Sequence, residues 1–175
     1  MQDCPFFLKV GVCRHGDECT KNHPVVTSSN TILIPNFYFY PAHDPASKML
    51  KESIQEHLDL FYEDFFTELS VKYGPINQLI VCTNASDHLL GNLYITFKSR
   101  QDAIKCKEEL STRYYSGRRI VPQFCIVSNL EKAVCKQYDE GACTRGGFCN
   151  FIHRGKISKE LEDELYRSQD LMYDR

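Results

Sequence analysis

Between residues 48 and 73, apolar side chains return at Leu50, Ile54, Leu58, Phe61, Phe65, Leu69 and Tyr73. Steps of three and four place them on one face, so the pattern predicts one long amphipathic helix, stopped by Gly74-Pro75. Strand patterns lie around it. Thr31–Ile34 is a short apolar run, and Ile76 to Thr83 is a longer one followed by a polar loop from Asn84 to His88. In residues 91–98, Leu93, Ile95 and Phe97 alternate with Asn92, Tyr94 and Thr96, the pattern of a strand buried on one face. Ser99 stands where an N-cap would start a second helix, ending near Leu110. Tyr114-Tyr115-Ser116-Gly117 reads as a turn, and Ile120 to Val127 as the last strand. Apolar Leu161, Leu165, Leu171 and Met172 predict a final helix over 158–175 that, with Ile157, caps a neighbouring module.

The central order, βαββαβ over about 100 residues, is the ferredoxin-like arrangement of an RNA recognition motif. Such motifs stack bases on aromatic residues in a strand signature K/R-G-F/Y-G/A-F-V-x-F/Y. The matching stretch runs from Leu90 to Phe97, with Leu90 at the basic position, Asn92 at the first stacking position, and Tyr94 as the one stacking aromatic left. On the first strand the stacking position is aliphatic Leu33. A sheet so depleted predicts a domain that binds something other than RNA.

Composition adds little until the cysteines are placed. With 42% hydrophobic and 25% charged residues the chain can bury a core, which excludes the disordered and low-complexity classes. No apolar run approaches the roughly 20 residues of a membrane helix, and the first residues carry no signal-peptide pattern. The nine cysteines are an odd number, which argues for a reducing compartment and against a disulfide framework. Six of them cluster at the ends. Cys4, Cys13, Cys19 and His23 are separated by eight, five and three residues, and Cys135, Cys143, Cys149 and His153 by seven, five and three. Three thiolates and an imidazole fill a tetrahedral zinc shell with no position left for water or substrate, so two structural zinc ions are expected. Segments this short have too small a core to offset their chain entropy, and metal binding supplies the folding energy, roughly 10–16 kcal/mol for zinc-finger peptides. Cys82, Cys106 and Cys125 have no ligand spacing and read as buried hydrophobes. No nucleophile–base pair, phosphate-cradling glycine loop or open metal site is present in the pattern, so an enzyme is not expected.

Aromatic and basic residues lie between the ligands: Phe6, Phe7, Arg14 and Lys21 in the first module, Lys136, Arg145, Phe148 and Phe151 in the second. Rings and guanidinium planes of this kind read single-stranded RNA by stacking and by hydrogen bonds to base edges. Basic excess is modest, four against two over 134–156, which favours short specific contacts over broad electrostatic coating. The central domain points elsewhere. Its long helix carries Glu52, Glu56, Asp59, Glu63, Asp64 and Glu68 against Lys48, Lys51 and Lys72, a face that repels phosphate and suits a basic peptide. Arg113-Tyr114-Tyr115 sets an arginine and two aromatics on one loop, the makings of a protein-binding pocket. The tail over 157–175 holds three basic residues against six acidic ones and is a poor RNA binder.

The stretches CPFFLKVGVCRHGDECTKNH, QEHLDLFYEDFFTEL, DHLLGNLYITFK, RYYSGR and YDEGACTRGGFCNFIH running into ISKELEDELY follow one another over nearly the whole chain. In that order they resemble the small subunit of the U2 snRNP auxiliary factor. The resemblance implies an α+β architecture: a ferredoxin-like RRM-type domain at 28–130, flanked by CCCH zinc fingers at 1–27 and 131–156, with a C-terminal helix at 157–175. It implies a nuclear pre-mRNA splicing factor subunit that recognises the AG dinucleotide at the 3′ splice site, as a heterodimer with a large subunit. The RRM-like domain would grip a tryptophan-bearing segment of that subunit, with Arg113 and Tyr115 framing the pocket beside Tyr114, and Glu63, Asp64 and Glu68 as acidic contacts. The two fingers would pack into one RNA surface using Phe6, Arg14, Thr20, Lys21, Lys136, Arg145 and Phe151. Tyr114 and Tyr115 replace the family's usual tryptophan and phenylalanine on the loop, and Lys21 stands where arginine is frequent. Three other readings share parts of this pattern: the minor-spliceosome paralogue of the family, a CCCH adaptor for mRNA decay, and a protein-only adaptor scaffolded by zinc.

Overall fold

The computed structural model describes residues 1–174. The predicted long helix forms as α2, Lys51–Lys72, following α1 (Pro5–Val10) and β1 (Thr31–Ile34). Then come β2 (Ile76–Val81), β3 (Leu93–Phe97), α3 (Arg100–Leu110), a hairpin of β4 (Tyr114–Tyr115) and β5 (Arg118–Arg119), β6 (Gln123–Phe124), α4 (Lys136–Asp139) and α5 (Lys159–Tyr173). One sheet has the order β2-β3-β1-β6, with all neighbours antiparallel. That is the strand order of the ferredoxin-like arrangement, with α2 and α3 on one face.

The alternation of β1 and β3 divides their side chains between two cores. Ile32, Ile34, Leu93, Ile95 and Phe97 face Phe61, Phe65, Phe66 and Leu69 of α2 in the larger core. Each buried Leu, Ile or Phe contributes roughly 1.5–3 kcal/mol there. Leu33, Ile80, Cys82 and Tyr94 point to the opposite face. That face is not open to solvent, and all five residues of β3 are buried. Val10 from the first zinc module, Ala133, Val134 and Ile152 from the second, and Leu130 just before it cover it. The alternation in β3 therefore predicted a strand buried on one face, but the terminal modules bury the other face too.

The last strand is shorter than its apolar run. Only Gln123 and Phe124 pair with β1 in the strand, although the Cys125 N–H continues the ladder to the Thr31 carbonyl at 2.9 Å. Pro122 has no N–H to donate, which confines it to an edge position of this kind. The expected turn at 114–117 is the tip of a separate hairpin. Tyr115 pairs with Arg118, and Ser116 (φ 48°) and Gly117 (φ 78°) form its two-residue loop. Positive φ at both central positions matches the twist of a tight hairpin. Ser99 occupies the N-cap position of α3, yet its side chain makes no capping bond.

Helix α5 packs on α2. Ile157, Leu165 and Tyr166 lie against the larger core, and the Tyr166 ring meets Phe66 at 4.9 Å. Its start is fixed by Asp59 of α2, which accepts from the Ser158 N–H at 3.0 Å and from the Ser158 hydroxyl. Farther along, the buried Gln169 side chain accepts from the Ser70 hydroxyl and the Ile76 N–H, both at 2.7 Å, and donates to the Ile76 carbonyl at 2.8 Å. Leu171 and Met172 stay exposed.

Candidate functional site

Each terminal module gathers three cysteines and a histidine whose ligand atoms all lie within 4.8 Å of one another. Two further observations fit a metal. The His23 and His153 Nε2 atoms are buried and find no hydrogen-bond partner in the protein, an arrangement that costs free energy unless a cation takes the lone pair. Each histidine ring is also held flat against an aromatic three residues after the first cysteine of its module: Phe7 on His23 at 4.4 Å and Tyr138 on His153 at 3.9 Å. The two modules repeat one design, and their Cys3His sets suit two structural zinc ions. The middle cysteines behave differently. Burial raises the Cys125 thiol to about 11 and the Cys82 and Cys106 thiols further, so they pack as apolar groups.

Backbone contacts dock both modules on the sheet. Tyr94, the one aromatic left on the stacking face, donates its hydroxyl to the Val10 carbonyl at 2.5 Å. Gly11 follows with φ 78°, and a Cβ there would lie 2.6 Å from the Cys125 sulfur. The second module is pinned by Asn84. Its Oδ1 accepts from the His153 N–H at 2.8 Å, and its Nδ2 donates to the Phe151 carbonyl at 2.9 Å and the Cys149 carbonyl at 3.3 Å. Arg154 bonds Asp139 within the same module at 2.7 Å and reaches Glu131, at the module's N-terminal edge, at 2.8 Å. The modules also touch each other: Arg14 donates to Asn150 at 3.0 Å, and the Lys9 ammonium stands 4.9 Å over the Phe151 ring.

Between the modules lies a trough of about 860 Å³ lined by Lys9, Lys132, Lys136, Gln137, Arg145 and Phe151 with apolar neighbours. Of the seven residues expected to contact RNA, Lys136, Arg145 and Phe151 line this trough. Arg14 is occupied at the contact with Asn150, and Phe6, Thr20 and Lys21 are exposed outside the trough. The Arg145 guanidinium lies along the second metal site, with Nε 3.2 Å from the Cys149 sulfur and a terminal nitrogen 3.0 Å from Gln137. Lys9, Lys132 and Gln137 were not among the expected contacts, because only proximity in space, not ligand spacing, brings them to the trough.

The opposite side of the molecule carries a groove of about 800 Å³ between α2 and the β4–β5 hairpin. Its aromatic wall is Phe37, Phe61 and Tyr115, with the Tyr115 ring edge-on to Phe65 at 4.9 Å. Glu63 and Asp64 line it, and Asp64 accepts from the Tyr115 hydroxyl at 2.9 Å. Burial and this carboxylate raise the Tyr115 hydroxyl to about 12. Arg113 and Glu68 do not line the groove; they form an ion pair at 2.5 Å behind it, joined by Lys72 at 3.0 Å. The arginine at the groove is Arg118, which donates to the Asn36 and Phe37 carbonyls at 2.7 Å. Tyr114 points away, 66% exposed. Exposed Phe39 and Leu60 extend the apolar mouth, which the helical pattern could not reveal because Leu60 lies off the core stripe.

A family model described as zinc finger C-x8-C-x5-C-x3-H type (and similar) matches residues 1–25 and 131–154. Relatives extend the likeness over the rest. The U2af 38 kDa splicing factor subunit of Drosophila melanogaster is 42% identical over 172 residues, spanning 94% of this chain and 65% of its own. The U2AF 26 kDa splicing factor subunit of Homo sapiens is 41% identical over 170 residues, covering 94% of this chain and 77% of its own. The chain belongs to the U2AF small-subunit family. The U2AF 23 kDa subunit of Schizosaccharomyces pombe agrees, at 41% identity over 95% of this chain and 77% of its own. These relatives are splicing-factor subunits, not enzymes. Among solved structures, an Rna15 RRM with bound RNA is similar at 11% identity and a TM-score of 0.36, covering 65% of this chain and 95% of its own.

Proposed function

We propose that this small-subunit family member acts in the nucleus as one half of a splicing-factor heterodimer. Its two zinc modules read the AG dinucleotide at the 3′ splice site, and its RRM-like domain holds the large subunit. The observation that carries the reading is the sheet face buried under both modules. With Leu33 and Tyr94 covered, the sheet has no stacking platform, and aromatic and basic groups are offered instead in the trough where the modules meet. The charge of the two concavities divides the ligands. The trough between the modules is lined by Lys9, Lys132, Lys136 and Arg145, which suits phosphate. The groove is lined by Glu63 and Asp64 around an aromatic wall, which suits a tryptophan flanked by basic residues. Arg113 then acts from behind, bracing the hairpin that carries Tyr115, while Glu68 anchors that brace.

The test is fluorescence anisotropy of zinc-loaded protein, alone and with a tryptophan-bearing peptide, against short RNAs carrying UUAGG or UUACG. Preference for the AG sequence, lost on Cys19→Ala or Cys149→Ala, is the expected result. Equal affinity for the two RNAs would reduce the function to general single-strand binding. Absence of binding to either RNA, with the peptide still bound, would leave a protein-only adaptor.

A further inference from the structure

A second trough, of about 630 Å³, opens at the end of the sheet and shares Ile126 and Ser128 with the trough between the zinc modules. It is lined by Ser28, Asn30, Asn77, Lys98 and Arg100 among others. No acidic side chain lines either trough among the described residues. The peptide groove, by contrast, carries two.

We propose that the RNA path continues from the zinc modules into this second trough, where Lys98 and Arg100 take backbone phosphates of nucleotides flanking the AG core. The inference rests on the RNA reading given above and extends it to the end of the sheet. Both cations are exposed and weakly engaged. Arg100 reaches Asn30 and Ser28 at 3.5 Å, at the limit of a hydrogen bond, and a guanidinium has five N–H donors to share. Lys98 stands 3.9 Å from Asp170, with both side chains about half exposed, a solvated pair that a phosphate can displace. The hydroxyl of Ser28 and the amide of Asn77 add hydrogen-bonding capacity for sugar and base edges without demanding one base, while the Asn30 amide holds the Phe97 and Lys98 carbonyls at 3.3 and 3.5 Å. An acidic peptide would satisfy the two charges, but continuity with the Phe151 trough favours a strand that stacks and carries phosphate along its length.

The experiment compares full-length, zinc-loaded protein binding UUAGG with the same RNA extended by four uridines on its 5′ or its 3′ side. Wild type should bind one extended RNA about tenfold tighter at low salt. Lys98→Ala with Arg100→Ala should remove most of that gain while changing UUAGG affinity less than about twofold. The salt slope on the extended RNA should fall by about 1.4, for two phosphate contacts on a single strand. Lys105→Ala with Lys159→Ala removes the same charge outside the trough and should leave the gain in place. Zinc content and melting temperature check that each variant is folded. Extended and short RNAs that bind wild type alike would overturn the extension alone. So would a gain that survives the Lys98 and Arg100 changes, or one lost equally in the control pair. Failure of wild type to bind UUAGG would overturn the RNA reading beneath it.

Discussion

Asn84 is buried between the sheet and the second zinc module, where its side chain satisfies the His153 N–H and two carbonyls of the same ligand loop. Asn84→Ala leaves those groups unpaired in a dry site, which costs about 1–3 kcal/mol. The expected outcome is a lower melting temperature and faster zinc release from the second site than from the first, read with a chromophoric chelator. Gly11→Ala is expected to act on the first module: φ 78° disfavours alanine, and the new methyl would press on the Cys125 sulfur. The zinc ligands themselves were legible from spacing, because three cysteines and a histidine recur at nearly the same gaps at both ends of the chain and each set fills a tetrahedral shell. Asn84 was not. A polar residue after a strand reads as loop, and only the docked module turns its amide inward.

At the scale of elements, the α2 helix and the order of strands follow from periodicity, whereas the hairpin does not. Two strands of two residues carry no period, and their identity comes from Ser116 and Gly117 at positive φ. The hairpin is braced by Arg113 on Glu68. Burial alone would raise the Glu68 carboxyl, but hydrogen bonds from Lys72 and Arg113 outweigh it and hold it below the ordinary carboxylate range. The folded value is thus below the unfolded one, about 4.3, so the brace stabilises fully above that value and fades as pH falls through the folded one. Wild type should melt higher than Glu68→Gln by a nearly constant margin from about pH 5 to 8, and the margin should shrink progressively as the pH falls below about 4.3. Helix α5 was expected as a cap, and Leu165 and Tyr166 do pack on the core. What locks its far end is polar: Gln169, hidden in the sequence because glutamine is usually a surface residue. Gln169→Leu is expected to destabilise by about 1–3 kcal/mol through the unpaired Ile76 N–H and carbonyl, measured by urea unfolding.

Across the whole molecule, the sheet separates two surfaces of opposite character. One face is covered by zinc modules with a basic trough between them; beyond the other lie α2 and an acidic, aromatic groove. The loss of stacking residues at Asn92 and Leu33 was legible in sequence, but the reason for it was not. Leu33 is packed under the modules, and Asn92 is buried with its side chain spent on the Asn36 N–H and the His88 carbonyl. The modules lack a core of their own and depend on metal, while the larger core between α2 and the sheet does not. Chelation should therefore release the modules and uncover Leu33, Ile80 and Tyr94, giving increased binding of an apolar dye, while α2 and the groove persist. The most direct measurement follows labelled UUAGG by anisotropy while a tryptophan-bearing peptide is titrated to saturation and a zinc chelator is then added. With the two surfaces separate, RNA stays bound through the peptide titration and is released by the chelator, and the peptide remains on the protein. Displacement of the RNA by the peptide, or RNA that survives removal of zinc, would contradict this division of the molecule.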